Sequence, residues 1–190
     1  MDITDIIRTR RSVYPEQFSE EIIKEKELML LLENANYAPT HKLTQPWRFR
    51  IISGGKKEEL GLILAENMKA NTALEQFSEM TYRKMISRPV KSSHVIAICL
   101  QRDPKESLPE WEELAALSMA VQNIWLSGTA MGIGMYWATP KPLSSKEVAE
   151  FLSLGAGEKC FGFLYMGYYT ANPDQKANRT PMEDKLMWIG

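Results

Sequence analysis

Residues 110–140 read EWEELAALSMAVQNIWLSGTAMGIGMYWATP. From residue 114 to residue 140 there is no Asp, Glu, Lys or Arg. So long a silence of charge raises a membrane helix. Gln122, Asn123, Ser127, Gly128, Thr129, Gly132 and Gly134 interrupt it, and Pro140 ends it. The pattern fits a deeply buried helix over residues 110–131, followed by a strand over 134–139. Trp111, Leu114, Leu117, Val121, Ile124, Trp125 and Gly128 recur at three- and four-residue steps. The opposite face, with Ala115, Ala116, Met119, Ala120 and Leu126, is also apolar or small. A helix apolar all round must be covered all round. A single domain of this length covers two sides of it with a sheet and neighbouring helices. The rest asks for a second copy of the chain.

Working outward, apolar runs over residues 95–100 (VIAICL) and 160–169 (CFGFLYMGYY) read as strands, the first buried on both faces. A third strand is expected over 48–52. Ile3, Ile6 and Ile7 mark a short helix capped by Asp2 or Thr4, and Pro15 stops any continuation. Leu28, Leu31, Leu32 and Ala35 stripe a helix drawn over residues 19–35. Ser53-Gly54-Gly55 is a turn, and 56–64 a helix. One or two mobile helices fall within the more polar 65–93, closed by Arg88-Pro89. Ser144 with Glu147 forms a capping box for a helix ending at Leu152. The tail is polar but ends in Leu186-Met187-Trp188-Ile189, an ending that docks on something. Helices and strands interleave without strict βαβ alternation. The expected fold is α+β: one domain over 1–190, its four- or five-stranded antiparallel or mixed sheet wrapped by helices.

Composition narrows the functional classes. The chain has 190 residues, 44% of them hydrophobic, and a net charge of −1. That suffices for a core without disulfides and argues against a nucleic-acid binder. Cys99 and Cys160 read as two small buried hydrophobes in strands rather than as a disulfide or a redox pair, and neither CxxC nor a Cys/His cluster suggests a metal. The N-terminus lacks the apolar core of a signal peptide, so a cytoplasmic location is expected. Eleven methionines and five tryptophans suit an adaptable, aromatic-rich interior or pocket.

Four stretches could carry chemistry. Arg10-Arg11-Ser12 offers guanidinium forks for phosphate or carboxylate, or simply complements a helix C-terminus. In APTHKLTQPWRF, residues 38–49, Pro39 and Pro46 stiffen a loop rich in hydrogen-bonding groups: His41, Lys42 and Gln45. It is a ligand cradle or a well-made turn. Trp137-Ala138-Thr139-Pro140 ends a strand, a common binding position, although a tryptophan there also serves a core. Asn178-Arg179-Thr180-Pro181 lies in the polar tail, where a surface arginine is unremarkable. No nucleophile arrangement and no phosphate-binding glycine motif is visible. An enzyme built this way borrows its chemistry from a cofactor.

Taken together and in order, these motifs resemble the nitroreductase family of FMN-dependent oxidoreductases, nearly end to end. Arg10-Arg11-Ser12 is similar to the family's Arg-Arg-Ser. Ala38-Pro39-Thr40 through Gln45-Pro46-Trp47 resembles its APS…QPW motif. Residues 128–134 with Trp137-Ala138-Thr139 sit where the family makes a flavin loop. LYMGY at 164–168 resembles its last core strand, and Arg179-Thr180-Pro181-Met182-Glu183 its tail motif. The resemblance implies a homodimer with FMN at the interface. It implies that Arg10, Arg11 and Ser12 grip the flavin nucleotide. Arg179 and Lys176 would add charge at the phosphate, and Trp137, Ala138 and Thr139 would face the flavin. The 38–49 loop would approach from the partner subunit. Leu43 stands where the larger family has an asparagine, and the APTHK form is similar to a short nitroreductase-like branch in which His41 and Tyr37 lie at the flavin. Tyr14 stands where a basic residue is usual. The implied reaction is ping-pong: NAD(P)H passes hydride to the flavin, and a nitroaromatic or quinone-like acceptor takes it. A dehalogenase or ene-type reductase, and a non-enzymatic FMN-binding or sensing module, remain open alternatives.

Overall fold

The computed structural model describes residues 2–170 and 178–190. Four strands form the central sheet: β1 (Trp47–Ile52), β2 (His94–Gln101), β3 (Ile133–Ala138) and β4 (Glu158–Tyr168). Their order is β1-β2-β4-β3 and every neighbouring pair is antiparallel. Among the described residues six α-helices accompany them: α1 (Ile3–Thr9), α2 (Glu25–Ala35), α3 (Lys56–Ala70), α4 (Glu79–Lys91), α5 (Glu110–Ala130) and α6 (Lys146–Phe151).

The apolar runs become the two central strands because each must feed two cores. Alternation along β2 sends Ile96, Ile98 and Leu100 to one face, where Leu31 of α2 and Leu117, Val121 and Ile124 of α5 pack on them. Val95, Ala97 and Cys99 face the other way, against Leu60 and Leu64 of α3 and Val148 of α6. Each such fully buried aliphatic chain contributes about 1.5–3 kcal/mol relative to exposure.

Helix α5 is only half covered. Ala116, Leu117, Ala120, Val121 and Ile124 are buried, but Trp111 is 68% and Met119 40% exposed. With Ala115 and Gln122, also exposed, they make one open stripe. The apolar end of the tail docks on nothing within the described residues, and Trp188 is 93% exposed. Among the described residues no helix is long and apolar enough to cross a membrane.

Helix α3 runs on to Ala70, six residues past the expected end at 64, and three other features also differ from the sequence expectation. Helix α2 starts at Glu25, not Ser19, because Ile23 is captured from outside the segment. Its side chain is buried and its N–H donates to Ser93 Oγ at 2.8 Å. Upstream, the Ser19 N–H donates to the Tyr168 carbonyl at 2.7 Å. Pro89 does not close the segment but lies inside α4, buried in its last turn. The cap of α6 is Ser145, whose hydroxyl accepts from the Val148 N–H at 3.2 Å, rather than Ser144. Replacing Ser93 by alanine strands the Ile23 N–H and is expected to lower stability by about 1–3 kcal/mol, readable by urea unfolding.

Candidate functional site

Arg10, Arg11 and Ser12 follow α1 and run onto the edge of the sheet. Ser12 bridges Met135 of β3, and the Val13 N–H donates to the Met135 carbonyl at 3.0 Å. The Arg11 guanidinium turns back on the helix end, donating to the Arg8 carbonyl at 2.7 Å and the Arg10 carbonyl at 2.9 Å. Arg10 lies with its guanidinium carbon 4.6 Å from the centre of the Trp125 ring on α5. Its pKa is lowered, first by burial and then by the like charges of Arg179 and Arg11. The tail motif thus comes back to the N-terminal one. Beside them the Trp125 indole N–H is buried without a partner among the described residues. A partly desolvated cation beside like charge, next to a buried donor unused among the described residues, is chemistry that suits an anion.

The same strip of chain leads into a cleft of about 360 Å³ between α4 and the end of β3. Tyr136, Trp137, Ala138 and Thr139 line it from the sheet, Met85 and Arg88 from the helix. Tyr14 joins the cleft to the arginines, its ring 4.6 Å from that of Tyr136. The Arg88 guanidinium rests 5.5 Å from the Tyr14 ring and 5.2 Å from the Tyr136 ring, and its Nε donates to Glu16 at 3.0 Å. Arg88 went unnoticed in the sequence, where it reads as the last residue before a proline. Only the fold brings it to Tyr14, which stands where a basic residue was expected.

Trp137 is held by the neighbouring strand. Its indole N–H donates to the Phe161 carbonyl at 3.2 Å. Gly162 makes the room: a Cβ there would lie 2.2 Å from the Trp137 nitrogen.

The 38–45 loop sits elsewhere. Tyr37 is 85% exposed and Pro39 is exposed. Thr40 braces the turn, its hydroxyl 3.2 Å from that of Thr44 and accepting from the Gln45 N–H at 3.2 Å. His41 Nδ1 lies 2.6 Å from Glu112 Oε2, and Lys42 Nζ donates to the Ser107 carbonyl at 3.1 Å. Lys42, Leu43 and Gln45 all have positive φ, at 52, 55 and 43°. Such backbone costs about 1–3 kcal/mol per residue and persists where the surroundings over-determine it. The loop is anchored at residue 112 of α5, whereas Arg10 packs at residue 125. At 1.5 Å per residue that is about 20 Å of helix. Within one chain the fold unites Arg10, Arg11, Ser12 and Arg179 with the Trp137–Thr139 end of β3. It does not bring Tyr37, Pro39, Thr40, His41 or Gln45 to them. Lys176 lies outside the described residues.

Comparison with known proteins points to one family. The family model described as the nitroreductase family matches residues 7–168. A Bacillus subtilis (strain 168) protein with the provisional name NAD(P)H nitroreductase YfhC is 30% identical over 186 residues, which is 97% of this chain and 92% of that one. A solved nitroreductase-like family protein from Bacillus cereus superposes with a TM-score of 0.81 at 26% identity, covering 100% of this chain and 96% of the other. A provisionally assigned nitroreductase from Desulfovibrio desulfuricans, solved in complex with FMN, shares the fold at 21% identity and a TM-score of 0.74, covering 100% of this chain and 98% of that one.

Proposed function

The chain belongs to the nitroreductase family, a family of oxidoreductases, and from that premise we propose that it is an FMN-dependent enzyme drawing electrons from NAD(P)H to reduce nitroaromatic or quinone-like acceptors. The observation that carries the proposal is the junction of two features along β3. Arg10, partly buried on Trp125 and beside the like charges of Arg179 and Arg11, adjoins a cleft walled by aromatic rings and a strand end. This combination suits a ligand with an anionic tail and a flat ring.

Arg10 and Arg179 would neutralise the phosphate, with Arg11 fixing the helix end beside them. Ser12 offers a hydroxyl at the start of the strip. Trp137, Ala138 and Thr139 would meet the ring with a strand-end backbone. Arg88 lines the cleft with a guanidinium whose charge is shared with Glu16, and its remaining N–H groups would favour the electron-rich form of a ring lying there. FMN held by Arg10, Arg179, Ser12 and the Trp137–Thr139 strand end would supply the hydride-transfer redox chemistry. The protein's part is to bind, orient and shield.

We place the 38–45 loop on a second copy of the chain. Three facts support this: the open Trp111–Met119 stripe on α5, the exposed Ile3 and Ile7 of α1, and about 20 Å of helix between the loop and Arg10. His41, Tyr37 and Gln45 would then complete the flavin site across a twofold interface. Replacing His41 by alanine is expected to weaken FMN binding by about 0.5–1.5 kcal/mol, roughly two- to tenfold. Unchanged affinity would remove His41 from the site. Initial rates with NADPH or NADH varied against a quinone or nitroaromatic test the function itself. Parallel double-reciprocal lines, dependent on FMN, are expected. A rate that ignores FMN, or no turnover with a full complement of FMN, overturns the assignment.

A further inference from the structure

Cys99 and Cys160 are far apart in sequence but opposed across the centre of the sheet. They are register partners on β2 and β4. The register shifts beside them, because β4 carries an extra residue, Phe161, between Cys160 and Gly162. The shift puts both thiols on the same side of the sheet, in the core beneath α3 and α6. Directly opposed residues of an antiparallel pair have Cα atoms about 4.5–5.5 Å apart, inside the span of about 4.4–6.8 Å that a disulfide bridges. The two differ in access: Cys99 is fully buried, Cys160 half-buried. An oxidant arriving from solvent therefore meets Cys160 first.

We propose that Cys99 and Cys160 are a reversible dithiol–disulfide pair, oxidised by peroxide, with Cys160 the attacking sulfur and Cys99 the resolving one. The Cys160 sulfur attacks one peroxide oxygen and the O–O bond breaks. The departing hydroxide takes the thiol proton and leaves as water, with Cys160 now a sulfenic acid. The Cys99 sulfur then displaces the hydroxyl, the S–S bond forms, and the hydroxyl leaves with the Cys99 proton as a second water. Two electrons have passed from two thiols to one peroxide, and an external dithiol reverses the change. The electrostatics run the same way. Contact with Cys99 lowers the pKa of Cys160, and the same contact together with burial raises that of Cys99, while the Cys160 thiol lies 3.6 Å from the Gly162 carbonyl, to which it donates. The pair borders the site, because the extra residue Phe161 is the one whose carbonyl holds Trp137. Nothing in the proposal depends on which cofactor the cleft binds.

The test treats the intact purified protein with hydrogen peroxide, blocks remaining thiols with N-ethylmaleimide after denaturation, and maps peptides by mass spectrometry. The expected result is loss of both thiols in step, a mass lower by two hydrogens, and a crosslinked peptide joining Cys99 to Cys160. Dithiothreitol restores both thiols. In Cys99→Ser, Cys160 stops at a sulfenic acid that dimedone captures, and in Cys160→Ser the Cys99 thiol survives. The proposal is overturned if both thiols of the wild-type protein stay free under peroxide that oxidises the urea-unfolded chain. It is equally overturned if Cys160 proceeds to sulfinic acid while Cys99 remains a thiol.

Discussion

Replacing Arg10 by alanine lowers FMN affinity by about 2–5 kcal/mol, roughly thirtyfold to a few thousandfold. The size follows from where the guanidinium lies. It is partly desolvated, it stacks on Trp125, and the neighbouring charges of Arg179 and Arg11 repel it. An anionic phosphate beside Arg10 and Arg179 would relieve that burden, so the loss of Arg10 is felt strongly by the ligand. The free protein responds in the opposite direction. Without a ligand Arg10 is a cation that burial and like charge both oppose, and among the described residues its removal costs the contact with Trp125. The melting temperature of the flavin-free variant therefore stays level or rises, while the gain in melting temperature on adding FMN shrinks. Arg10→Lys keeps the charge but loses the flat fork, and falls between the two. Fluorescence titration of FMN and a thermal melt of the same samples read both signs. A variant that binds FMN as the wild type does removes the arginine trio from the site.

Replacing Gly162 by alanine damages the fold and the site together. The residue has φ +140°, a conformation that other side chains adopt at about 1–3 kcal/mol. Its added carbon would lie 2.2 Å from the Trp137 nitrogen and 2.7 Å from the Ala138 carbonyl oxygen. The second is backbone and cannot swing aside. Either β3 shifts or the indole leaves the Phe161 carbonyl, adding roughly another 1–3 kcal/mol of overpacking. The sum, about 2–6 kcal/mol, appears as a lower melting temperature and reduced flavin binding. Gly155→Ala is the control. The nearest atom to its added carbon is Glu158 Oε2 at 3.9 Å, and little change is expected. If Gly162→Ala melts and binds flavin like the wild type, Trp137 is not seated as described.

The frame was legible in the sequence where one physical demand dominated. VIAICL can only be a strand covered on both faces, and it is the second strand of a four-stranded sheet. The charge-free run had to be a helix needing cover, although its pattern did not say that Trp111 and Met119 would form the open stripe. Legibility failed where distant residues decide local structure. Ile22-Ile23 fits a helix until Ser93 captures the Ile23 N–H. Ser144 and Ser145 are equally good caps by type, and only the turn preceding them selects the second. Arg88 carries no motif and gains meaning only from Tyr14 and Tyr136, which other elements bring to it. Cys99 and Cys160 both read correctly as strand residues, Cys99 buried but Cys160 only half-buried, and their opposition depends on a bulge that no local pattern announces. The site residues named by resemblance divide into a group the chain assembles itself and a loop it holds at the far end of α5.

The central claim is that this chain holds FMN and moves electrons through it. The most direct test is the visible absorption spectrum of the purified protein supplied with FMN and freed of excess, recorded before and after anaerobic addition of NADPH or NADH. The account predicts a protein-bound oxidised flavin spectrum that bleaches on addition of the nicotinamide and returns when a quinone or nitroaromatic is admitted. A protein that retains no flavin contradicts the account at its foundation, and one whose flavin stays oxidised with both nicotinamides contradicts the assigned reaction.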